Sequence, residues 1–266
     1  MECDDRYLRL PLFAQLEADC DRLACRPALN LEDIQQKTKF CKFIYSNAKA
    51  DPTRNRFFEH LNAKHHVISP GRHLKNTDEN ITHRYRKNWR AGKIEYMSRF
   101  RFTIAFENSC VKGYTKEKLV DAFLARTFPI YWGNPLVCDD FNPDSVIEVS
   151  SFSSFDEVVS EVERIDQDWN AFMAVLNASV FKNNFIHVVR RRRRAFLEKL
   201  VEYVMRGEFK RPRYGHVAHY EKVTKRRARE SAIYRAVLRM PIKQKVKTWW
   251  RDMGGSRSNT DIAKMR

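Results

Sequence analysis

The chain is poor in the residues that define several large protein classes. Its 8 glycines and 9 prolines among 266 residues are too few for a collagen-like or Pro/Gly-rich disordered chain. Its six cysteines, Cys3, Cys20, Cys25, Cys41, Cys110 and Cys138, form no C-x-x-C pair. No His/Cys cluster accompanies Cys20 and Cys25, so neither structural zinc nor a disulfide scaffold is expected. Reduced, mostly buried thiols are the expectation. No stretch approaches the roughly 18 consecutive apolar residues of a membrane span. The opening MECDDRYLRL is acidic and has no apolar core, unlike a signal peptide. A place in the cytoplasm, or on the cytoplasmic face of a membrane, is therefore expected. G-x-G-x-x-G and Walker-A loops are both missing, which weighs against dinucleotide and P-loop sites.

What is present is a foldable body and a great deal of positive charge. With 43% hydrophobic and 12% aromatic residues, the chain can bury a sizeable core. The net charge of +17 is unevenly spread. Residues 190–266 hold 24 Lys+Arg against 7 Asp+Glu, whereas residues 1–189 are balanced at 26 of each. A polyanionic partner would therefore meet the tail rather than the body.

Helical periodicity surrounds Leu12–Leu23, and the texture changes at Thr38. KFCKFIYS (39–46), HHVISPG (65–71), RFTIAFEN (101–108), FPIYWG (128–133) and SVIEV (145–149) have strand character. RNRFFEHLNAK (54–64), KIEYMSRF (93–100), TKEKLVDAFLAR (115–126) and SSFDEVVSEVERI (153–165) have helical spacing, and residues 72–90 read as a polar loop. This alternation predicts βαβ units and a mostly parallel sheet over about 38–170. In such sheets ligands bind at the carboxyl ends of strands, which singles out loops 46–54, 107–117 and 133–144.

The stretch RFTIAFENSCVKGYTKEK (101–118) carries the most chemistry. A strand delivers Glu107 and Asn108 into a loop, and the next helix opens with Tyr114, Glu117 and Lys118. A carboxylate can accept protons from two ribose hydroxyls, and a lysine at a helix N-terminus suits a phosphate. Arg54, opening an earlier helix on the same edge, could add a bidentate phosphate contact. Each has a plainer alternative: an exposed helix start for Glu117 and Lys118, packing for Tyr114, a solvated helix residue for Arg54. The acidic pairs Asp4-Asp5 and Asp139-Asp140 read better as solvated turns than as a metal clamp, and no metal is expected.

AFENS (105–109), GYTKEKLVDAF (113–123), FPIYWGNP (128–135) and DFNPDSVIEVSSF (140–152) together resemble the donor-binding signature of the α-1,3/4-fucosyltransferases, bacterial members especially. The resemblance extends to SNAKADPTRNRFFEHLN (46–62), EYMSRFRF (95–102) and, less distinctively, DDRYLRLPLF (4–13). It implies the Rossmann-like C-terminal domain of a GT-B glycosyltransferase, using GDP-fucose as donor, inverting the anomeric centre and needing no cofactor. Carried over position by position, Arg54 and Lys118 would hold the GDP phosphates and stabilise the leaving group. Glu117 would bind the ribose, Asn108 and Tyr114 would line the donor pocket, and Glu107 would support the loop. The implied acceptor is a GlcNAc-type hydroxyl of a surface glycan, such as a lipopolysaccharide side chain, with α-1,3 linkage. Two departures stand out. Lys116 occupies the place where the family has Thr before Glu-Lys, with Thr115 one residue earlier. Residues 1–37 resemble an interdomain segment with no room for the family's N-terminal acceptor domain, and no general base can be assigned; Asp4, Asp5 and Glu17 lie in the wrong region.

The expected organisation is an interdomain-like segment 1–37, a GDP-fucose-binding domain 38–189 and a basic helical tail 190–266. Arg190–Arg194 heads a helix, and 231–253 interleaves Lys243, Lys245 and Lys247 with Ile242, Val246, Trp249 and Trp250. That pattern suits an anionic membrane surface. A solvated helix packing its Trp residues on the body is the alternative. No nucleic-acid motif accompanies the charge. A second functional class, a catalytically silent sugar-nucleotide-binding or interaction module, shares the same donor site and differs in lacking transfer.

Overall fold

Five short strands form one sheet in which every pairing is parallel, in the order β2-β1-β3-β4-β5. The computed structural model describes residues 11–81, 89–182 and 185–206. Two units divide at Phe196/Leu197, and residues 197–206 are the described part of the second.

A 3-10 turn at Leu12–Gln15 leads into α1 (Glu17–Ala24) and α2 (Leu31–Gln35). Then follow β1 (Lys39–Lys42), α3 (Pro52–Lys64), β2 (Val67–Ile68), α4 (Trp89–Met97) and β3 (Phe100–Ile104). The chain continues through α5 (Glu117–Leu124), β4 (Phe128–Tyr131), α6 (Val137–Asp140), β5 (Ile147–Glu148), α7 (Phe155–Gln167), α8 (Trp169–Asn177) and α9 (Phe185–Arg206).

Local chemistry sets the helix starts. Asp51 caps α3 by accepting the Thr53 N–H, with Pro52 at the first helical position, where a missing N–H costs nothing. Ser154 and Asp168 cap α7 and α8 in the same way. Asn30 and Asp33 form a reciprocal capping box on α2. α5 ends in a Schellman turn, in which Thr127 N–H reaches Ala122 O and Arg126 N–H reaches Phe123 O.

Two cores flank the sheet. Phe57, Phe58 and Leu61 of α3, Val158, Val159, Val162 and Ile165 of α7, and Phe172 and Leu176 of α8 pack with Cys41, Phe102, Ile104 and Ile130. Leu119, Val120 and Phe123 of α5 join Cys20 and Leu23 of α1, Phe185 and Val189 of α9, and Ala105 and Tyr131. The sequence neighbours Ile104/Ala105 and Ile130/Tyr131 divide between the cores, as strand alternation requires, so helices cover both faces. This is the α/β architecture with a parallel sheet expected from the sequence. Since β1 has β2 on one side and β3 on the other, the strand order reverses there, the point at which parallel sheets of this kind bind ligands beside the loops leaving the two strands.

Several expectations need correction. The 93–100 helix begins earlier, at Trp89, inside the stretch read as loop, and ends at Met97. The strand drawn over 101–108 ends at Ile104, yet Ala105 and Glu107 still donate to Ile130 O and Trp132 O, so the extended path continues without regular pairing. α8 was unexpected. Asp140 is buried at the end of α6 rather than solvated in a turn. All five described cysteines are free thiols, but only Cys20 and Cys41 are buried, while Cys25 and Cys110 are exposed. Burial pushes the Cys41 thiol up to about 12. Among the described residues no helix is long and apolar enough to cross a membrane. Arg190–Arg194 do not head their helix, which starts earlier, at Phe185, so the basic run lies inside α9; segment 231–253, with Trp249 and Trp250, falls outside the described residues.

Candidate functional site

The loops leaving β1 and β3 bring the predicted residues together at the carboxyl edge of the sheet. Arg54 sits in the first turn of α3 and is fully buried, so the solvated-helix alternative fails. Its guanidinium lies 4.3 Å over the Tyr45 ring, donates to Asn108 Oδ1 at 3.2 Å and to the Asn47 carbonyl, and keeps an unpaired Nε. Tyr45 is itself fixed by its hydroxyl, which lies 3.0 Å from Ile104 O and 2.9 Å from Phe106 O. Burial lowers the Arg54 pKa from its ordinary value, and the Tyr45 phenol is pushed up by the same cause. Asn108 also accepts the Asp51 N–H on its backbone carbonyl at 2.8 Å, joining the α3 entry to the β3 exit.

Glu107, the neighbour of Asn108, organises the other half. Its carboxylate is wholly buried; Oε1 accepts the Lys116 N–H at 2.7 Å and Oε2 pairs with Lys118 Nζ at 2.6 Å. Glu107 thus supplies the N-terminal cap of α5 that Lys116, with no side-chain cap bond of its own, does not. Lys118 is 15% exposed, so its ammonium is the more accessible end of this pair. The Lys116 ammonium lies 4.9 Å over the Tyr114 ring, and hydrogen bonding to the Tyr114 hydroxyl raises its pKa. Glu117, half-buried at the first position of α5, has no side-chain hydrogen bond among the described residues.

The loop after β4 braces this arrangement. The Asn134 side chain donates to Thr115 Oγ1 at 3.0 Å and accepts the Gly113 N–H at 2.7 Å, and its backbone N–H donates to the Tyr131 hydroxyl at 3.0 Å. Gly133 adopts φ +147°, and a Cβ there would stand 2.6 Å from Glu107 Cβ and 2.8 Å from Glu107 Cγ. The 133–135 turn is therefore moulded onto the stem of Glu107.

Of the residues named from the sequence, the structure ties Arg54 to Asn108 and Lys118 to Glu107, while the Tyr114 side chain meets Lys116 and Glu117 makes no side-chain hydrogen bond among the described residues. Sequence reasoning missed Tyr45, Asn47, Gly133 and Asn134. Of these, only Gly133 left a readable mark, as the glycine of the quoted YWG motif. Among the described residues no group of three or more His, Cys, Asp or Glu side chains is placed to hold a metal.

A parallel α/β sheet with basic and hydrogen-bonding side chains on the loops at its strand-order reversal has the form of a nucleotide-binding domain. The C-terminal region of glycosyltransferase family 10 (fucosyltransferase) matches residues 34–178, and the chain belongs to this family. It is 36% identical over 148 residues to an alpha-(1,3)-fucosyltransferase of Helicobacter pylori, covering 56% of this chain and 29% of that protein. A putative fucosyltransferase of Acanthamoeba polyphaga mimivirus is 26% identical over 162 residues, 59% of this chain and 27% of the other. The chain thus matches less than a third of the length of these relatives. The crystal structure of an alpha1,3-fucosyltransferase with GDP superimposes with a TM-score of 0.58 at 26% identity, over 74% of this chain and 67% of that one. A second, with GDP-fucose, gives 0.57 at 25% identity over 74% and 68%.

Proposed function

We propose that this chain is the donor half of a fucosyltransferase, with GDP-fucose bound in the crevice between the loops after β1 and β3. The observation that carries this reading is that Arg54 and Lys118, from different elements, are tied to the consecutive residues Glu107 and Asn108. One short segment thereby organises two cations around one edge of the sheet. Family membership and the GDP and GDP-fucose complexes of its structural neighbours supply the ligand. In this reading Lys118 and Arg54 meet the diphosphate, Glu117 the ribose hydroxyls, and Asn108 and Tyr114 line the pocket.

Mechanistically, cationic side chains neutralise the charge that grows on departing GDP as the bond to fucose breaks. Lys118 can turn from Glu107 toward a phosphate while remaining in the same field. Arg54 is shielded from solvent in this structure, so engaging a phosphate requires it to exchange its bond to the Asn47 carbonyl. An inverting transfer also needs a base to accept the acceptor hydroxyl proton; that group is not assigned to any residue of this chain. The acceptor is proposed as a GlcNAc-type hydroxyl of a surface glycan, with α-1,3 linkage. The tail is proposed to hold the protein on the anionic inner face of a membrane, for which salt-sensitive co-sedimentation with anionic vesicles is the test.

Calorimetric titration with GDP of the wild type, Arg54→Ala and Lys118→Ala tests the site. Weakened binding in both, with circular dichroism unchanged, is the expected result. Should the buried Arg54 be needed for folding, Lys118→Ala decides alone. In a transfer assay the loss expected for removing one leaving-group donor is about 100-fold or more. GDP binding without transfer would favour a silent donor module, and no GDP binding by the folded wild type would overturn the assignment.

A further inference from the structure

The first turn of α5 holds a cation where a helix seldom carries one. Lys116 sits at the N-cap, a position normally filled by a side chain that accepts a free N–H of the first turn, whereas lysine can only donate. The helix dipole is positive at that end, so an ammonium there is opposed rather than stabilised. Glu107 supplies the missing cap from another segment, its Oε1 accepting the Lys116 N–H at 2.7 Å. Among the described residues the Glu117 and Lys118 N–H groups, which open α5, make no hydrogen bond.

The Lys116 side chain is nevertheless held in place. Its ammonium rests 4.9 Å over the Tyr114 ring. Hydrogen bonding to the Tyr114 hydroxyl, with the fields of Glu117 and Glu107 behind it, raises its pKa, so the charge is fully present at neutral pH. Among the described residues this ammonium forms no ion pair with a carboxylate; a ring and a hydroxyl are its contacts. Glu107 has both oxygens engaged, Oε1 by the Lys116 N–H and Oε2 by Lys118 Nζ at 2.6 Å. Lys116 and Lys118 are thus anchored on one buried carboxylate, and the next residue, Asn108, holds Arg54.

We propose that Lys116 is a third cation of the donor site and binds the diphosphate of the sugar nucleotide together with Lys118. This rests on the donor reading above and adds a residue to it. A cation on the face of a half-buried tyrosine is held more weakly than one donating to a phosphate oxygen, so an arriving diphosphate can draw the ammonium off Tyr114. Arg54 must first give up its bond to the Asn47 carbonyl, whereas Lys116 has only its contacts with Tyr114 to exchange. A bound phosphate would also answer the open N–H groups of α5 and relieve the opposition between the ammonium and the dipole.

Calorimetry with GDP and with GMP, at low and at high ionic strength, compares the wild type with Lys116→Gln and Lys116→Arg, circular dichroism confirming the fold of each. Lys116→Gln removes the charge but keeps a group able to reach the Tyr114 hydroxyl. At low ionic strength Lys116→Gln is expected to weaken GDP binding about tenfold and GMP binding less, with Lys116→Arg within about threefold of the wild type. The gap between Lys116→Gln and the wild type should narrow as salt screens the lost charge. Equal GDP affinity of Lys116→Gln and the wild type would overturn the proposal and leave the donor reading standing. So would a loss that is the same for GDP and GMP, persists at high salt and is not restored by arginine, because it marks Lys116 as a prop for Tyr114. Failure of the folded wild type to bind GDP would overturn the donor reading and this inference with it.

Discussion

The pairing of Glu107 with Lys118 can be tested by a double-mutant cycle. Glu107 is fully buried, Lys118 is 15% exposed, and their charged atoms are 2.6 Å apart. With an effective dielectric constant of about 20, Coulomb attraction at that separation is about 6 kcal/mol. Desolvation of the carboxylate offsets part of this, whereas removing one partner of a buried pair costs about 3–5 kcal/mol. Lys118→Met should therefore cost about 3 kcal/mol, since it strands a buried carboxylate that keeps only the Lys116 N–H. Glu107→Gln should cost less, because the amide oxygen can still accept that N–H and Lys118 can reach water. In Glu107→Gln/Lys118→Met neither charge is stranded, so the double variant should be more stable than the sum of the singles predicts, by about 2 kcal/mol. Urea unfolding of the four proteins at neutral pH measures this. A coupling below about 0.5 kcal/mol would mean that the pair is a solvated contact of the kind surface measurements give, and Glu107 would lose its role as organiser of the loop.

Gly133→Ala should destabilise by about 2–4 kcal/mol and weaken GDP binding, because the new Cβ meets the Glu107 stem at a φ unsuited to alanine; unchanged thermal stability would contradict this. Asp121 is fully buried and accepts from Lys93 Nζ at 2.9 Å and Arg90 Nε at 2.8 Å. Asp121→Asn should cost about 3–5 kcal/mol in denaturant unfolding, and a loss under about 1 kcal/mol would show the cations finding other partners. Lys37, lowered to about 8 when folded against an unfolded value of 10.5, binds fewer protons in the native state across that window. Stability should therefore rise with pH from about 8 to 10.5 relative to Lys37→Met, by up to about 3 kcal/mol, and a flat difference curve would refute the burial cause.

The sheet was legible because β-branched and aromatic runs alternate with helices of 3.6-residue period, and those signals survive in single segments such as FPIY and DEVVSEVERI. α8 was missed because WNAFMAVLN is apolar on most sides and follows α7 with only Asp168 between them, a break made by a cap rather than by glycine or proline. The start of α4 was hidden for the opposite reason. Arg90 looks like the end of a solvated loop until Asp121, on another element, neutralises it. The site divides in the same way. Arg54, Glu117 and Lys118 stand out by charge and spacing, while Tyr45, Asn47 and Asn134 act through backbone carbonyls and amides, a role that leaves no pattern in a single chain.

Asn108 decides how much a ligand must organise. Its carbonyl holds the Asp51 N–H and its side chain holds Arg54, so the exits of β1 and β3 form one piece before anything enters the crevice. Residues 54 positions apart in sequence thus behave as a pre-organised cradle, whose ordering entropy is lost during folding rather than on binding. Most of the attraction between the cations and a diphosphate can then appear as affinity, since little of it is consumed in closing a loop.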